Sequence, residues 1–133
     1  MLDELLEDIS LGGHNVVSTV YLEAGSFYTA GATKPLAPVG ETAAVNGFAA
    51  ITQSDLYGKG LRACAGIVGS ADMTLGADVE PVLRAHMAAS PNFRGIRHSC
   101  AWDADEGISN GAARPHLLAD AKFRQGIAVL DGL

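Results

Sequence analysis

The chain is poor in cysteine and in clustered positive charge, and it has no long apolar run; each shortage excludes a class of protein. Its two cysteines, Cys64 and Cys100, stand 36 positions apart (100 − 64), without a CxxC partner or an adjacent histidine pair. That pattern makes neither a disulfide framework nor a zinc motif, so both read as buried free thiols that act as small hydrophobes. Although 48% of the 133 residues are apolar, no stretch approaches the roughly 18 to 20 unbroken apolar residues of a membrane span. The N-terminus is acidic (Asp3, Glu4, Glu7, Asp8) where an export signal would be basic. The net charge of −6 is spread without a basic cluster, which argues against nucleic acid and anionic membranes as partners. These features lead to the expectation of a single soluble, cytoplasmic domain.

What is present alternates. Leu2, Leu5, Leu6 and Ile9 share one helical face over residues 2–10, closed by Gly12 and Gly13. Residues 15–22 are rich in β-branched and aromatic side chains and read as a strand covered on both faces. A long connection, residues 24–40, is punctuated by Gly25, Gly31, Pro35, Pro38 and Gly40; loops of this length in compact domains are commonly functional. Glu41 and Thr42 then open a helix with Val45, Phe48, Ala49, Thr52 and Leu56 on one face, ended by Gly58 and Gly60. A second strand covers residues 61–68 and stops at Gly69. A turn-rich link, 69–76, leads into a helix with Asp78 near its start and Pro81 in its first turn. Ser90-Pro91-Asn92 stops that helix, a third strand begins at Phe93, and after a loop over 99–115 one final helix carries Leu117, Leu118, Ala121, Ile127 and Leu130 as its apolar positions, with Gly126 a weak spot. Strands alternating with helices imply parallel pairing through right-handed crossovers, hence an α/β fold.

Three such strands fit either a small open doubly wound sheet or part of a (β/α)8 barrel, which takes about 250 residues when closed. The chain starts inside a helix and stops where a β/α unit would enter its next strand, so a contiguous piece of a larger barrel is the expectation. In either architecture ligands bind beyond the carboxyl ends of the strands. That makes Arg97 the first functional candidate, with tying the strand end to a neighbouring carboxylate as its alternative role. Strict alternation along the third strand places Phe93, Gly95 and Arg97 on one face and Arg94, Ile96 and His98 on the other. If Arg97 points inward, His98 points toward the helices as a structural hydrogen-bonding residue, with a ligand or base as its alternative role, unless a bulge at the strand end changes its phase. Glu23, ending the first strand, can accept from a substrate, orient water or contact a metal; the alternative is a salt bridge to Arg97 or Arg62. Tyr28 and Trp102, on the two long loops, can wall a binding pocket or simply pin those loops. Asp103 and Asp105 suit turn formation better than paired acid/base chemistry. His14 and His86 read as exposed or packing residues. Gly58-Lys59-Gly60 precedes a strand rather than a helix, which makes it a poor phosphate loop.

Several blocks, in order, carry a resemblance: Gly13-His14-Asn15-Val16-Val17, Val20-Tyr21-Leu22-Glu23, Pro38-Val39-Gly40-Glu41-Thr42, Val45-Asn46-Gly47, the run from Arg62 to Gly69, Phe93-Arg94-Gly95-Ile96-Arg97-His98 and Ala101-Trp102-Asp103-Ala104-Asp105. Together they resemble the amidohydrolase-related family, metal-dependent TIM-barrel hydrolases that include the pyrone dicarboxylate lactonases. The resemblance implies that residues 14–23, 61–69 and 93–98 are the second, third and fourth strands of a TIM barrel. It also implies that Arg97, following the glycine of Gly95-Ile96-Arg97, is a substrate clamp, since its planar fork can hold a carboxylate by two parallel hydrogen bonds. The implied cofactor is a divalent metal, zinc first. Its ligands, an HxH on the first strand and a histidine and an aspartate on later strands, have no counterpart among His14, His86, His98 and His116. The expected function is therefore a fragment, inactive by itself, of a hydrolase acting on a lactone or related carboxylate-bearing small molecule. The expected substrate-binding residues are Arg97, Glu23, Tyr28, Trp102 and His98. Two alternatives stay open: a decarboxylase of the same superfamily, or a noncatalytic α/β binding module that forms a homo-oligomer to protect its sheet edges.

Overall fold

The computed structural model describes residues 2–54 and 60–133. The Leu56 position, the Gly58 stop and most of the Gly58-Lys59-Gly60 turn fall outside them. Seven principal elements follow the expected order: α1 (Leu2–Leu11), β1 (Ser18–Leu22), α2 (Val39–Gln53), β2 (Arg62–Ser70), α3 (Glu80–Ala89), β3 (Phe93–Arg97) and α4 (Ala121–Val129). Short 3-10 segments at Met73–Val79 and Leu117–Ala119 lead into α3 and toward α4. The strands form one sheet in the order β1-β2-β3, parallel at both pairings. No described helix is long and apolar enough to cross a membrane.

Boundaries moved where a partner or a cap decided them. β1 begins at Ser18 rather than Asn15, because its first register partner is Arg62, the first residue of β2. α2 begins two residues before Glu41: Pro38 sits at its N-cap with φ already at −64°, preset for a helical turn. β2 runs past Gly69 to Ser70. The single final helix is a correction. Asp120 breaks it by adopting an extended backbone and accepting from the Phe123 N–H at 2.8 Å, a side-chain cap that restarts the helix at Ala121. Leu118 and Ile127, expected in the core, are exposed, while Phe123 is buried. Gly126 is also a contact point: a Cβ there would collide with the Met73 backbone.

Two apolar clusters hold the helices to the sheet. In one, Val45 and Ala49 of α2 meet Ala63, Cys64 and Ile67 of β2, with Leu2 and Leu5 of α1, Phe48 and Tyr21 packed against them. In the other, Met73, Val79, Val82, Leu83, Leu117 and Phe123 enclose a centre reached from the sheet by Ile96. Full burial of side chains such as Ile67, Met73 and Leu83 contributes about 1.5–3 kcal/mol each. The opposite face of the sheet carries Val20 and Leu22, both more than half exposed, beside Gly66 and Arg94.

β3 does not alternate strictly. Ile67 of β2 pairs with Phe93 and the next residue, Val68, with Gly95, so β3 carries one extra residue at Arg94. Such a bulge inverts the phase of everything after it. Phe93 stacks on His86 of α3 and Ile96 joins the helix-side cluster, whereas Arg97 reaches across the end of β2 to Glu23. The expectation that Phe93 and Arg97 share a face is thereby corrected. His98 does turn toward the helices, its ring edge-on to Phe123 at 5.3 Å.

Candidate functional site

A cavity of about 630 Å³ opens where the strands end. The carboxyl ends supply Glu23, Ser70, Arg97 and His98, and the 24–38 connection supplies Tyr28, Lys34 and Pro35. Asp72 and Ser99 complete its polar lining. Four of the five expected site residues are therefore brought together. Trp102 is not among the lining residues and is 43% exposed on its loop.

Arg97 and Glu23 meet as an ion pair. Arg97 Nε donates to Glu23 Oε1 at 2.9 Å, and Nη2 donates to the Glu23 carbonyl at 2.7 Å. One edge of the guanidinium fork is therefore spent on the protein itself, and the pair spans the rim from β3 to the end of β1. Glu23 is further fixed by its N–H, which donates to the Val68 carbonyl at 2.9 Å. Arg62, the other partner considered for Glu23, pairs with Ser18 at the opposite, amino end of the sheet.

His98 is oriented from behind. The Met73 N–H donates to its Nδ1 at 3.1 Å, which leaves the ring proton of the neutral form on Nε2. Asp72 Oδ1 is 4.0 Å from the same nitrogen and accepts from the Thr74 N–H and hydroxyl.

The connection after β1 is anchored by a residue that sequence reading treated only as a helix opener. Glu41, 2% exposed, accepts at Oε1 from the Tyr21 hydroxyl (2.7 Å) and from the Ala24 and Ser26 N–H groups (3.0 and 3.1 Å). Its Oε2 is buried with no hydrogen-bond partner among the described residues. Burial, with the Glu41 carboxylate adding to it, pushes the Tyr21 phenol well above its ordinary range. The Thr29 N–H donates to the Ala37 carbonyl and the Ala37 N–H to the Thr33 carbonyl, folding the rest of the connection over the strand ends. Gly40 accommodates that return: a Cβ there would collide with Thr29 and with the Phe27 carbonyl.

None of the protein-family models, curated proteins or solved structures compared with this chain matches it. The geometry alone therefore characterises the site.

Below the rim lies His86, completely buried and stacked on Phe93 with ring centres 5.1 Å apart. Its Nε2 is 3.0 Å from the Ser70 carbonyl, which can only accept, so that nitrogen carries the proton and Nδ1 accepts from the Thr42 hydroxyl at 2.8 Å. Burial lowers its affinity for a second proton below the ordinary imidazole value. His86 is a packing residue, and the exposed alternative is excluded. Cys64 is buried and Cys100 half-buried, both free; burial raises the Cys64 thiol. Asp103 Oδ1 accepts from the Asp105 N–H and Asp105 Oδ1 from the Gly107 N–H, so these acids shape turns.

The implied divalent metal does not fit the residues described. No group of three or more His, Cys, Asp or Glu side chains among them is placed to hold an ion. The cavity residues Lys34, Ser70, Asp72 and Ser99 went unrecognised in the sequence. Lys34 carried one usable signal: it is the only charged residue in positions 24–40.

Proposed function

We propose that the chain forms three consecutive β/α units of a (β/α)8 hydrolase of the amidohydrolase type, whose strand-end cavity takes a lactone or related small molecule bearing a carboxylate. The observation that carries this reading is the convergence of Glu23, Tyr28, Arg97 and His98 on one cavity at the carboxyl ends of parallel strands. That is where barrel enzymes bind their substrates. Two further features support the barrel over a doubly wound sheet: the strands are ordered as they occur in the chain, and both apolar clusters lie on the face opposite Val20 and Leu22. A doubly wound sheet would cover both faces with helices.

Within the cavity, Lys34 and the Glu23-paired Arg97 are the cationic groups, Tyr28 supplies an apolar wall with a hydroxyl, and His98 a proton on Nε2. These residues bind and orient a substrate; hydrolysis belongs to the whole barrel. Titration of the chain with carboxylated γ- and δ-lactones, followed residue by residue by NMR, tests the binding half. Shifts confined to the cavity lining are expected, and shifts elsewhere or none at all refute it. The complete reading frame should hydrolyse at least one of these lactones, and inactivity across the panel refutes the hydrolase half.

A further inference from the structure

The geometry points to Lys34, rather than Arg97, as the residue that receives the ligand's acidic group, with Arg97 serving as a positioning residue. This rests on the reading of the cavity as a carboxylate-binding site. A guanidinium holds a carboxylate best through two parallel N–H donors, and one such edge of Arg97, Nε with Nη2, is already engaged by Glu23 Oε1 and the Glu23 carbonyl. The pair is also close to neutral as a unit, so its pull on a further anion is weak. Freeing that edge would break two hydrogen bonds and separate an ion pair at the rim.

Lys34 is differently placed. It lines the same cavity, and it makes no hydrogen bond or ion pair among the described residues. Its backbone lies within the turn closed by the Leu36 and Ala37 N–H groups on the Thr33 carbonyl, at 2.9 and 3.0 Å. The connection that carries it is tied down at Ala24 and Ser26 by Glu41 and at Thr29 by Ala37. Its ammonium is thus an unspent cation on an ordered support, and an arriving carboxylate displaces only water from it. On this assignment Lys34 sets the preference for acids over neutral analogues, while the Arg97–Glu23 pair fixes the shape of the rim.

The test uses 5-oxotetrahydrofuran-2-carboxylate and its uncharged methyl ester, titrated into the chain by NMR at low ionic strength. One charge-assisted contact at a partly solvated site should favour the acid about five- to tenfold over the ester. Lys34→Met should abolish that preference, bringing acid affinity down to that of the ester, with the melting curve unchanged, and Lys34→Arg should restore it. Arg97→Lys, which keeps the charge but loses the two-point hold on Glu23, should weaken acid and ester alike without changing their ratio. An undiminished acid preference in Lys34→Met, or its loss in Arg97→Lys with Lys34 intact, overturns the assignment. Binding of neither probe by the unaltered chain instead refutes the carboxylate-site reading, and the assignment falls with it.

Discussion

Gly69 gives the sharpest test of how the sheet carries its helices. A Cβ at this position would lie 2.9 Å from His86 Cε1, 3.0 Å from His86 Nδ1 and 3.2 Å from Phe93 Cε2. Comfortable carbon–carbon contact is about 3.5–4.0 Å, so the overlap is on the order of half an ångström. Neither ring can withdraw freely, because His86 is held by the Thr42 hydroxyl and the Ser70 carbonyl and is stacked on Phe93. Overpacking of this kind costs about 1–3 kcal/mol, against roughly 0.5–1 kcal/mol regained by replacing a glycine within a strand. Gly69→Ala should therefore destabilise the chain by about 1–2 kcal/mol, lowering Tm by roughly 3–8 °C for a chain of this size. Urea denaturation followed by circular dichroism measures it, with the slope unchanged. Gly47→Ala is the matched control: a Cβ there meets nothing within 4 Å inside α2, so it should stabilise by about 0.5–1 kcal/mol. In a His86→Ala background the Gly69→Ala penalty should disappear, since the clash has lost its main partner. A Gly69→Ala chain as stable as its parent, or a penalty that survives removal of the imidazole, would refute this account of the packing.

Stability should also fall as pH drops below about 6.5, the ordinary imidazole value. The folded state holds a proton on buried His86 less readily than the unfolded chain does, so unfolding takes up protons and is favoured by acid; denaturation midpoints between pH 7.5 and 5.5 should show a shallower slope for His86→Gln. Tyr21→Phe removes the hydroxyl donor from the buried Glu41 carboxylate and should cost about 1–3 kcal/mol. The same urea titration reads it, and a neutral result would mean that the two backbone donors suffice.

The order of elements was legible because helix and strand periods alternate so regularly along the chain, and the strand ends followed from it. Glu23, Arg97 and His98 were findable for that reason: each ends a strand or follows its last residue. What the sequence concealed depends on three-dimensional closure. The bulge at Arg94 has only the neighbouring glycine as its mark in a run that reads Phe-Arg-Gly-Ile-Arg, and its position emerges from the register against β2. Glu41 looks like any acid in a first helical turn until the chain after β1 folds back to donate to it. Phe123 and Leu118 exchanged places between core and solvent because Asp120 offers a cap, a local preference that outweighed the apolar period.

The extra residue in β3 divides the labour of a five-residue strand. Upstream of it, Phe93 serves the contact with His86; downstream, Ile96 serves the apolar centre and Arg97 the rim. Length changes here are therefore unlike those in the neighbouring loops. Ironing the bulge out at constant length would swap the last two side chains, turning Arg97 toward the apolar cluster and Ile96 toward Glu23, whereas deleting one residue at 94 or 95 would restore a regular pleat and leave both where they are. Any descendant of this chain that keeps its rim chemistry must keep either the irregularity or a strand shorter by that one residue.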